Sequence, residues 1–211
     1  MTAQVNWSDE NRVYVVDDDG PVRRSLEAML SQVGFSVKHF STAAKLFLEI
    51  DLNSAGCIVV DLQMPDVSGA DLTRQLFEAH TTLAVIVISE TADVAAAVSA
   101  MENGAVTFLE KPYEQSQLLD AVRRALILSH ERYHKRQATN AVQQRLDALS
   151  DQERSVMKLM LKGESNKGIC RKLDLSMRTV DRRRHLILEK MQFASVPEMA
   201  MLLGKVGCSL P

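Results

Sequence analysis

The sequence predicts an α/β domain built on a five-stranded parallel sheet, followed by a helical linker and an all-α domain of four helices. Between residues 12 and 128, short β-branched runs alternate with helical patterns, which is typical of βαβ units. From residue 146 onwards there is no strand signal, and four short helical patterns follow. The chain has 211 residues, of which 46% are apolar, and this is sufficient for two hydrophobic cores.

Five strands are predicted in the first domain, at residues 12–16, 36–40, 57–60, 84–88 and 107–109. The first, third and fourth strands are almost entirely apolar, as expected when helices cover both faces of a sheet. The five helices are predicted to begin near residues that commonly start helices, namely Pro21, Ser41 or Thr42, Gly69, Asp93 and Glu114.

A polar, charged segment follows at residues 129–145. It contains neither Gly nor Pro and is predicted to be a helical or loosely ordered linker. Leu118, Val122, Leu126 and Tyr133 keep approximate helical spacing, so an unbroken extension of the fifth helix is an alternative.

The last predicted domain, residues 146–208, opens with the capping-box pattern of Ser150 and Glu153, and Gly163 ends its first helix. The other three helices are predicted to begin at Ser165, Ser176 and Ser195. The tight link at residues 174–176, between the second and third helices, has helix-turn-helix spacing.

Charge is distributed unevenly, although the formal net charge is only −2. Residues 1–145 carry 13 basic and 19 acidic side chains, whereas residues 146–211 carry 12 and 8. This asymmetry favours an acidic regulatory or metal-binding part and a nucleic-acid-binding part.

Cysteine usage and apolar patterning favour a soluble, cytoplasmic protein. Cys57, Cys170 and Cys208 lie far apart without C-x-x-C spacing, so neither a disulfide framework nor a zinc site is predicted. Residues 1–11 lack the pattern of an export signal, and no uncharged apolar run is long enough to cross a bilayer. We therefore expect no membrane partner.

Polar side chains follow four of the five predicted strands. Three aspartates at residues 17–19 follow the first strand, and Asp61, Ser89 and Lys111 follow the third, fourth and fifth. Singly, such residues cap helices, start turns or lie on the surface. Because the carboxyl ends of parallel strands meet at one edge of a sheet, their joint occurrence predicts a ligand site. Clustered carboxylate oxygens favour Mg²⁺.

The same positions carry a resemblance to the receiver domain of two-component response regulators, over residues 12 to about 128. It lies in Val-Val-Asp-Asp-Asp at 15–19, the run from Val60 to Gly69, Ile-Ser at 88–89 and Glu-Lys-Pro-Tyr at 110–113. The resemblance implies a flavodoxin-like sheet of strand order 2-1-3-4-5. It also implies regulation by phosphorylation, with self-phosphorylation and self-dephosphorylation as the only enzymatic chemistry.

Roles follow from the resemblance by position. Asp61 is expected to accept a phosphoryl group from a sensor histidine kinase. Mg²⁺ or Mn²⁺ would be held by Asp18, Asp61, the backbone carbonyl of Gln63 and, through a water, Asp17. Ser89 and Lys111 would bind the phosphoryl group, and Phe108 stands at the switch position, with ordinary core packing as its alternative. The lifetime of the phosphoryl group is not predicted, because Glu90 stands where many relatives have a small residue. Gln63 and Thr91 occupy positions that tune dephosphorylation in this family.

The last domain has a basic third helix and resembles LuxR-type DNA-binding domains, through residues 149–154, 162–170 and 175–180. Together, the two resemblances indicate a NarL/FixJ-type regulator, closest to the FixJ branch. They imply a double-stranded DNA operator, a homodimer on activation and RNA polymerase as a further partner. Backbone contacts are expected from Asn166, Lys167, Arg178 and Thr179, and base contacts from Asp181, Arg182 and Arg183.

Arg182 and Arg183 depart from the residues usual in relatives and suggest an operator preference for guanines. A solvated helix face is the alternative explanation of an arginine run. His185 is interpreted as a packing residue or a phosphate contact.

Two other functions remain compatible with these patterns. Asp17 could be the nucleophile of a haloacid-dehalogenase-type phosphatase, because residues 17–19 also fit a D-x-D motif after the first strand. Alternatively, the protein could be a phosphorylation-independent DNA-binding dimer. Turnover of phosphate esters would identify the first function, and failure to gain a phosphoryl group would favour the second.

Overall fold

The computed structural model describes residues 11–65, 67–90 and 94–206. The first elements are β1 Arg12–Val16, α1 Gly20–Gln32, β2 Ser36–Phe40, α2 Ala43–Glu49, β3 Cys57–Asp61, α3 Gly69–Glu78, β4 Ala84–Ser89, α4 Val94–Glu102, β5 Ala105–Glu110 and α5 Gln115–Asp147. They are followed by α6 Asp151–Leu161, α7 Asn166–Leu173, α8 Met177–Met191 and α9 Val196–Val206. The chain divides into two compact units between His134 and Lys135.

The five strands form one parallel sheet of order β2-β1-β3-β4-β5, which confirms the predicted fold. Three predicted strands were too short, at 57–60, 84–88 and 107–109. Pairing of Asp61 with Ile88 extends β3, and pairing of Ser89 with Glu110 extends β4 and β5. These polar side chains do not end the strands because the ladder is made by backbone groups.

Successive residues of the central strands face opposite sides of the sheet. Val13 and Val15 pack with residues of α1 and α5, whereas Tyr14 and Val16 pack with residues of α2 and α3. The apolar sequences of β1, β3 and β4 therefore reflect burial on both faces.

Most predicted helix starts lie within one residue of the observed ones. Pro21 lies in the first turn of α1, and the peptide N–H of Lys45 donates to the Thr42 hydroxyl, which caps α2. Ser68 caps α3, directly before Gly69. The predicted start at Asp93 lies outside the described residues.

Helix α5 runs from Gln115 to Asp147 without interruption. Residues 129–145 are therefore helical and extend the fifth helix, as the alternative prediction had it. The prediction of a loosely ordered segment there was wrong. The division between the two units falls inside this helix.

The second unit contains the predicted helix-turn-helix. The capping box of Ser150 and Glu153 is formed at α6, and Asp174, at a φ of 52°, ends α7 in the left-handed conformation. Its core includes Val156, Ile169, Val180, Ile187 and Met191. None of the helices in the described part of the chain has the length and apolar composition needed to cross a membrane.

Candidate functional site

The carboxyl ends of three strands bring Asp17, Asp61 and Lys111 together. The Lys111 Nζ atom lies 2.6 Å from Asp61 Oδ2 and 3.9 Å from Asp17 Oδ2. Asp17 is 3% exposed and Asp61 is 8% exposed. The structure thus assembles two largely buried carboxylates and one ammonium at the edge of the sheet where the sequence predicted a ligand site.

Backbone hydrogen bonds hold the Asp61 loop in place. The Gln63 peptide N–H donates to Asp61 Oδ1 at 2.9 Å, and the Leu62 N–H donates to the Ile88 carbonyl at 2.7 Å. Gly69 packs directly against this loop, because a Cβ atom on it would lie 2.3 Å from the Asp61 carbonyl oxygen. A residue with a side chain at position 69 would therefore displace the Asp61 backbone.

The acidic loop, residues 17–19, is tied to the helix that follows it. The Asp19 N–H donates to Asp17 Oδ1 at 2.7 Å, and the Arg23 N–H donates to the Asp19 carbonyl at 3.0 Å. The Arg23 guanidinium also donates to the Asp17 carbonyl. Sequence reasoning missed Arg23; the available signal was a basic residue one turn into the helix after an acidic loop.

Burial raises the pKa of Asp17 above its ordinary value, and the negative charges of Asp61 and Asp18 add to this effect. The Asp19 N–H and the Lys111 ammonium act in the opposite direction. For Lys111, burial lowers the pKa, but the hydrogen bond to Asp61 and the charges of both aspartates outweigh it, so the net pKa is raised. The lysine is therefore charged at neutral pH.

The donor set fits a hard divalent cation. Among the described residues, no three His, Cys, Asp or Glu side chains lie close enough to share a metal ion. Mg²⁺ does not need three, because it binds through one or two carboxylates and keeps several waters. The repulsion between Asp17 and Asp61 is what a bound cation would relieve.

The remaining predicted pocket residues lie on neighbouring strands. Ser89 is fully buried at the end of β4, and its carbonyl accepts a 2.7 Å hydrogen bond from the Lys111 N–H. Phe108 is half-buried on β5 and packs against the core under α2 and α3. Asp18 and Glu90 are exposed, and Thr91 lies outside the described residues.

In the second unit, α8 presents a polar face that begins at its capping residue. The Thr179 N–H donates to the Ser176 hydroxyl, which starts the helix. Arg178, Asp181 and Arg182 are exposed at helical spacing, with Val180 and Ile187 buried on the opposite side.

His185 is exposed one turn beyond Arg182, so of its two interpretations the packing residue was wrong and the phosphate contact stays a prediction. It belongs to the exposed face of α8 together with Arg178, Asp181 and Arg182. The i, i+3, i+4, i+7 spacing of these four residues was the sequence signal that favours an exposed position for His185.

Four predicted DNA-contacting residues, Asn166, Thr179, Asp181 and Arg183, have side-chain hydrogen-bond partners within the second unit. The Asn166 side-chain amide donates a 2.6 Å hydrogen bond to the Asp181 carboxylate. The Arg183 guanidinium donates to the Gln152 side chain of α6 and is half-buried, unlike Arg182. Lys167 is exposed near the start of α7. Gln152 was not predicted as a site residue.

A five-stranded α/β unit with a paired acidic and lysine pocket, followed by a helix-turn-helix unit, defines a response regulator. Residues 13–123 match the response regulator receiver domain, and residues 147–203 match the luxR family of bacterial regulatory proteins. The chain belongs to the response regulator family and is a transcriptional regulator of a two-component system, with a receiver domain and a LuxR-type DNA-binding domain.

Individual relatives match nearly the whole chain. The transcriptional regulatory protein FixJ of Azorhizobium caulinodans is 41% identical, over 91% of this chain and 92% of its own length. The response regulator protein TodT of Pseudomonas putida is 33% identical, over 94% of this chain and 87% of its own length. The solved structure of the response regulator StyR is similar at a TM-score of 0.83, with 34% identity over 92% of this chain and 98% of that one.

Proposed function

We propose that Asp61 is the phosphoacceptor of this response regulator and that a sensor histidine kinase is its donor. The observation that carries the proposal is the 2.6 Å contact between Lys111 Nζ and Asp61 Oδ2. It places a fixed positive charge beside a carboxylate whose other oxygen accepts from the Gln63 N–H.

The transfer exchanges one bond to phosphorus for another. A carboxylate oxygen of Asp61 attacks the phosphorus atom of a phosphohistidine, and a P–O bond forms as the P–N bond breaks. The electron pair of the P–N bond goes to the imidazole nitrogen, and Asp61 becomes an acyl phosphate. Such transfers depend on alignment and charge neutralisation, to which the Lys111 ammonium and the buried Ser89 hydroxyl contribute.

Asp18, Asp61 and the backbone carbonyl of Gln63 would hold Mg²⁺ or Mn²⁺, with Asp17 acting through a water. When bound, the cation neutralises negative charge on the carboxylates and on the phosphoryl group. The burial of Asp17 beside Asp61 supports this assignment, because the single Lys111 ammonium leaves the two carboxylates with a net negative charge and the pKa of Asp17 stays raised.

The output of the regulator is binding to a double-stranded DNA operator through α8. Asn166, Lys167, Arg178 and Thr179 contact the phosphate backbone, and Asp181, Arg182 and Arg183 contact base edges. Phosphorylation favours a homodimer, with Phe108 as the residue that responds to Ser89. RNA polymerase is a further partner, and the protein acts in the cytoplasm.

For these functions the chain divides into a receiver domain at 12–128, a helical linker at 129–145 and a DNA-binding domain at 146–208. The matched family regions at 13–123 and 147–203 support these boundaries.

The test is intact-mass measurement after treatment with phosphoramidate and Mg²⁺. The wild type should gain one phosphoryl group, Asp61→Asn none, and the exposed-carboxylate control Asp71→Asn one. Operator binding should then increase in the wild type and in Asp71→Asn but not in Asp61→Asn.

Two outcomes would contradict the proposal. A wild type that gains no phosphoryl group but binds its operator would be a phosphorylation-independent dimer. Hydrolysis of phosphate esters that is lost in Asp17→Asn but kept in Asp61→Asn would identify a haloacid-dehalogenase-type phosphatase instead.

A further inference from the structure

We propose that Arg23 is a positioning residue that holds the acidic loop, residues 17–19, in the conformation that binds the divalent cation. The inference rests on the proposed function, because it concerns the cation site of the same pocket. Arg23 lies in α1 and is not part of the motif at residues 15–19.

Arg23 binds both ends of the acidic loop. Its peptide N–H donates to the Asp19 carbonyl at 3.0 Å, and its guanidinium Nη1 donates to the Asp17 carbonyl. Within the loop, the Asp19 N–H donates to Asp17 Oδ1 at 2.7 Å. The first of these is the ordinary i to i−4 bond at the start of α1, whereas the guanidinium bond to the Asp17 carbonyl is specific to the Arg23 side chain.

These bonds determine where the Asp17 carboxylate points. Its Oδ1 atom is held by the loop backbone, which leaves Oδ2 facing Lys111 at 3.9 Å. A hydrogen bond from a charged guanidinium is stronger than one from a neutral donor, and Arg23 is half-buried, which limits competition from water. Residues that orient metal ligands without touching the metal commonly change its affinity 10-fold to 100-fold.

The positive charge of Arg23 should lower the affinity of the pocket for the cation, whereas its hydrogen bonds should raise that affinity. A guanidinium near a cation site repels the cation, so removal of the charge alone should strengthen binding. Arg24 provides the comparison, because a Cβ atom on Gly20 would lie 3.4 Å from Arg24 Nη1 and 3.6 Å from Arg23 Nη2. Both guanidinium groups therefore lie at the start of α1, and Arg24 is exposed.

The experiment compares full-length Arg23→Met with its matched control Arg24→Met. The Mg²⁺ dissociation constant is measured by calorimetry without a phosphodonor, and the Mg²⁺ dependence of phosphoramidate phosphorylation is measured by intact mass. We expect Arg23→Met to bind Mg²⁺ about 10-fold more weakly than the wild type, with an unchanged maximal rate at saturating Mg²⁺. Arg24→Met should bind Mg²⁺ at least as tightly as the wild type.

Equal or tighter Mg²⁺ binding by Arg23→Met, or equal weakening by Arg24→Met, would overturn the inference. Thermal melting in a chelator tests whether both variants fold; if Arg23→Met does not, Arg23→Gln and Arg24→Gln are compared by the same criteria. A wild type that neither binds Mg²⁺ nor gains a phosphoryl group would instead refute the proposed function.

Discussion

The Ser129 hydroxyl accepts a 2.9 Å hydrogen bond from the peptide N–H of Gly56, and both residues are buried. Ser129 lies on α5, and Gly56 directly precedes β3, whose other end carries Asp61. This bond fixes the first part of α5 to the central strand, so Ser129, the first residue of the proposed linker, packs with the receiver unit.

Replacement of Ser129 by Ala should destabilise the receiver by about 1–3 kcal/mol, because the buried Gly56 N–H would lose its partner. Chemical denaturation followed by circular dichroism measures the change. Ser116→Ala is the control, since Ser116 is exposed on the same helix and should change stability by less than about 0.5 kcal/mol. Equal effects of the two substitutions would contradict a specific role for the buried bond.

Gly69→Ala should destabilise the receiver by about 1–3 kcal/mol or more and slow phosphorylation of Asp61. The added Cβ atom would lie 2.3 Å from the Asp61 carbonyl oxygen and 2.8 Å from the Leu62 Cα atom, so the Asp61 loop must move. Denaturation midpoints and phosphoramidate kinetics test both parts. The control is Gly204→Ala, because a Cβ atom there meets no heavy atom within 4 Å; normal kinetics in Gly69→Ala would disprove the displacement.

Asp17→Asn should stabilise the metal-free protein at neutral pH. The pKa of Asp17 is raised from 3.8 by burial and by nearby negative charge, so folding becomes less favourable as pH rises from 3.8 through the raised value. The amide removes this penalty, and its advantage should shrink as pH is lowered toward 4. Denaturation in a chelator at several pH values is the measurement.

Asp19→Asn is the control for this pH dependence, because Asp19 is exposed in the same loop. Added Mg²⁺ should reverse the ranking and favour the wild type, since the cation stabilises the ionised carboxylates. A stabilisation of Asp17→Asn that is independent of pH would show that carboxylate ionisation is not its cause.

Arg182→Ala should relax operator preference at one or two base pairs and cost about 1–3 kcal/mol on the preferred operator. Arg182 is exposed on α8, whereas the Arg183 guanidinium donates to the Gln152 side chain. Because Gln152→Ala removes this partner of Arg183, it should change the operator preference only at base pairs that Arg183 contacts. Operator selection by sequencing, repeated with each variant, measures this. An unchanged selected sequence would contradict base contact by Arg182.

Lys167→Ala provides the matched comparison for backbone contact. It should weaken binding to all sequences alike and reduce the slope of binding against salt concentration by about 1. Binding titrations at several salt concentrations distinguish this behaviour from that of Arg182→Ala.

Local sequence patterns were sufficient to predict the α/β unit, the starts of most helices and the residues that meet in the main pocket. Alternation of apolar and helical segments determined the α/β unit, and short polar signals such as the capping box of Ser150 and Glu153 determined where most helices begin. Because parallel strands all end at one edge, the positions of Asp17, Asp61 and Lys111 after their strands were enough to predict that they meet.

What only the tertiary structure decided are the partners of individual side chains and the state of the linker. Gly56 and Ser129 are 73 residues apart, and Lys111 and Asp61 are 50 apart, so their hydrogen bonds depend on how the elements pack. Arg23 and Arg24 are the same residue type in adjacent positions, and only the geometry of α1 gives Arg23 the Asp17 carbonyl. The polar sequence at 129–145 is compatible with helix or coil, because isolated helices gain little stability without packing, and the fold resolves it as part of α5.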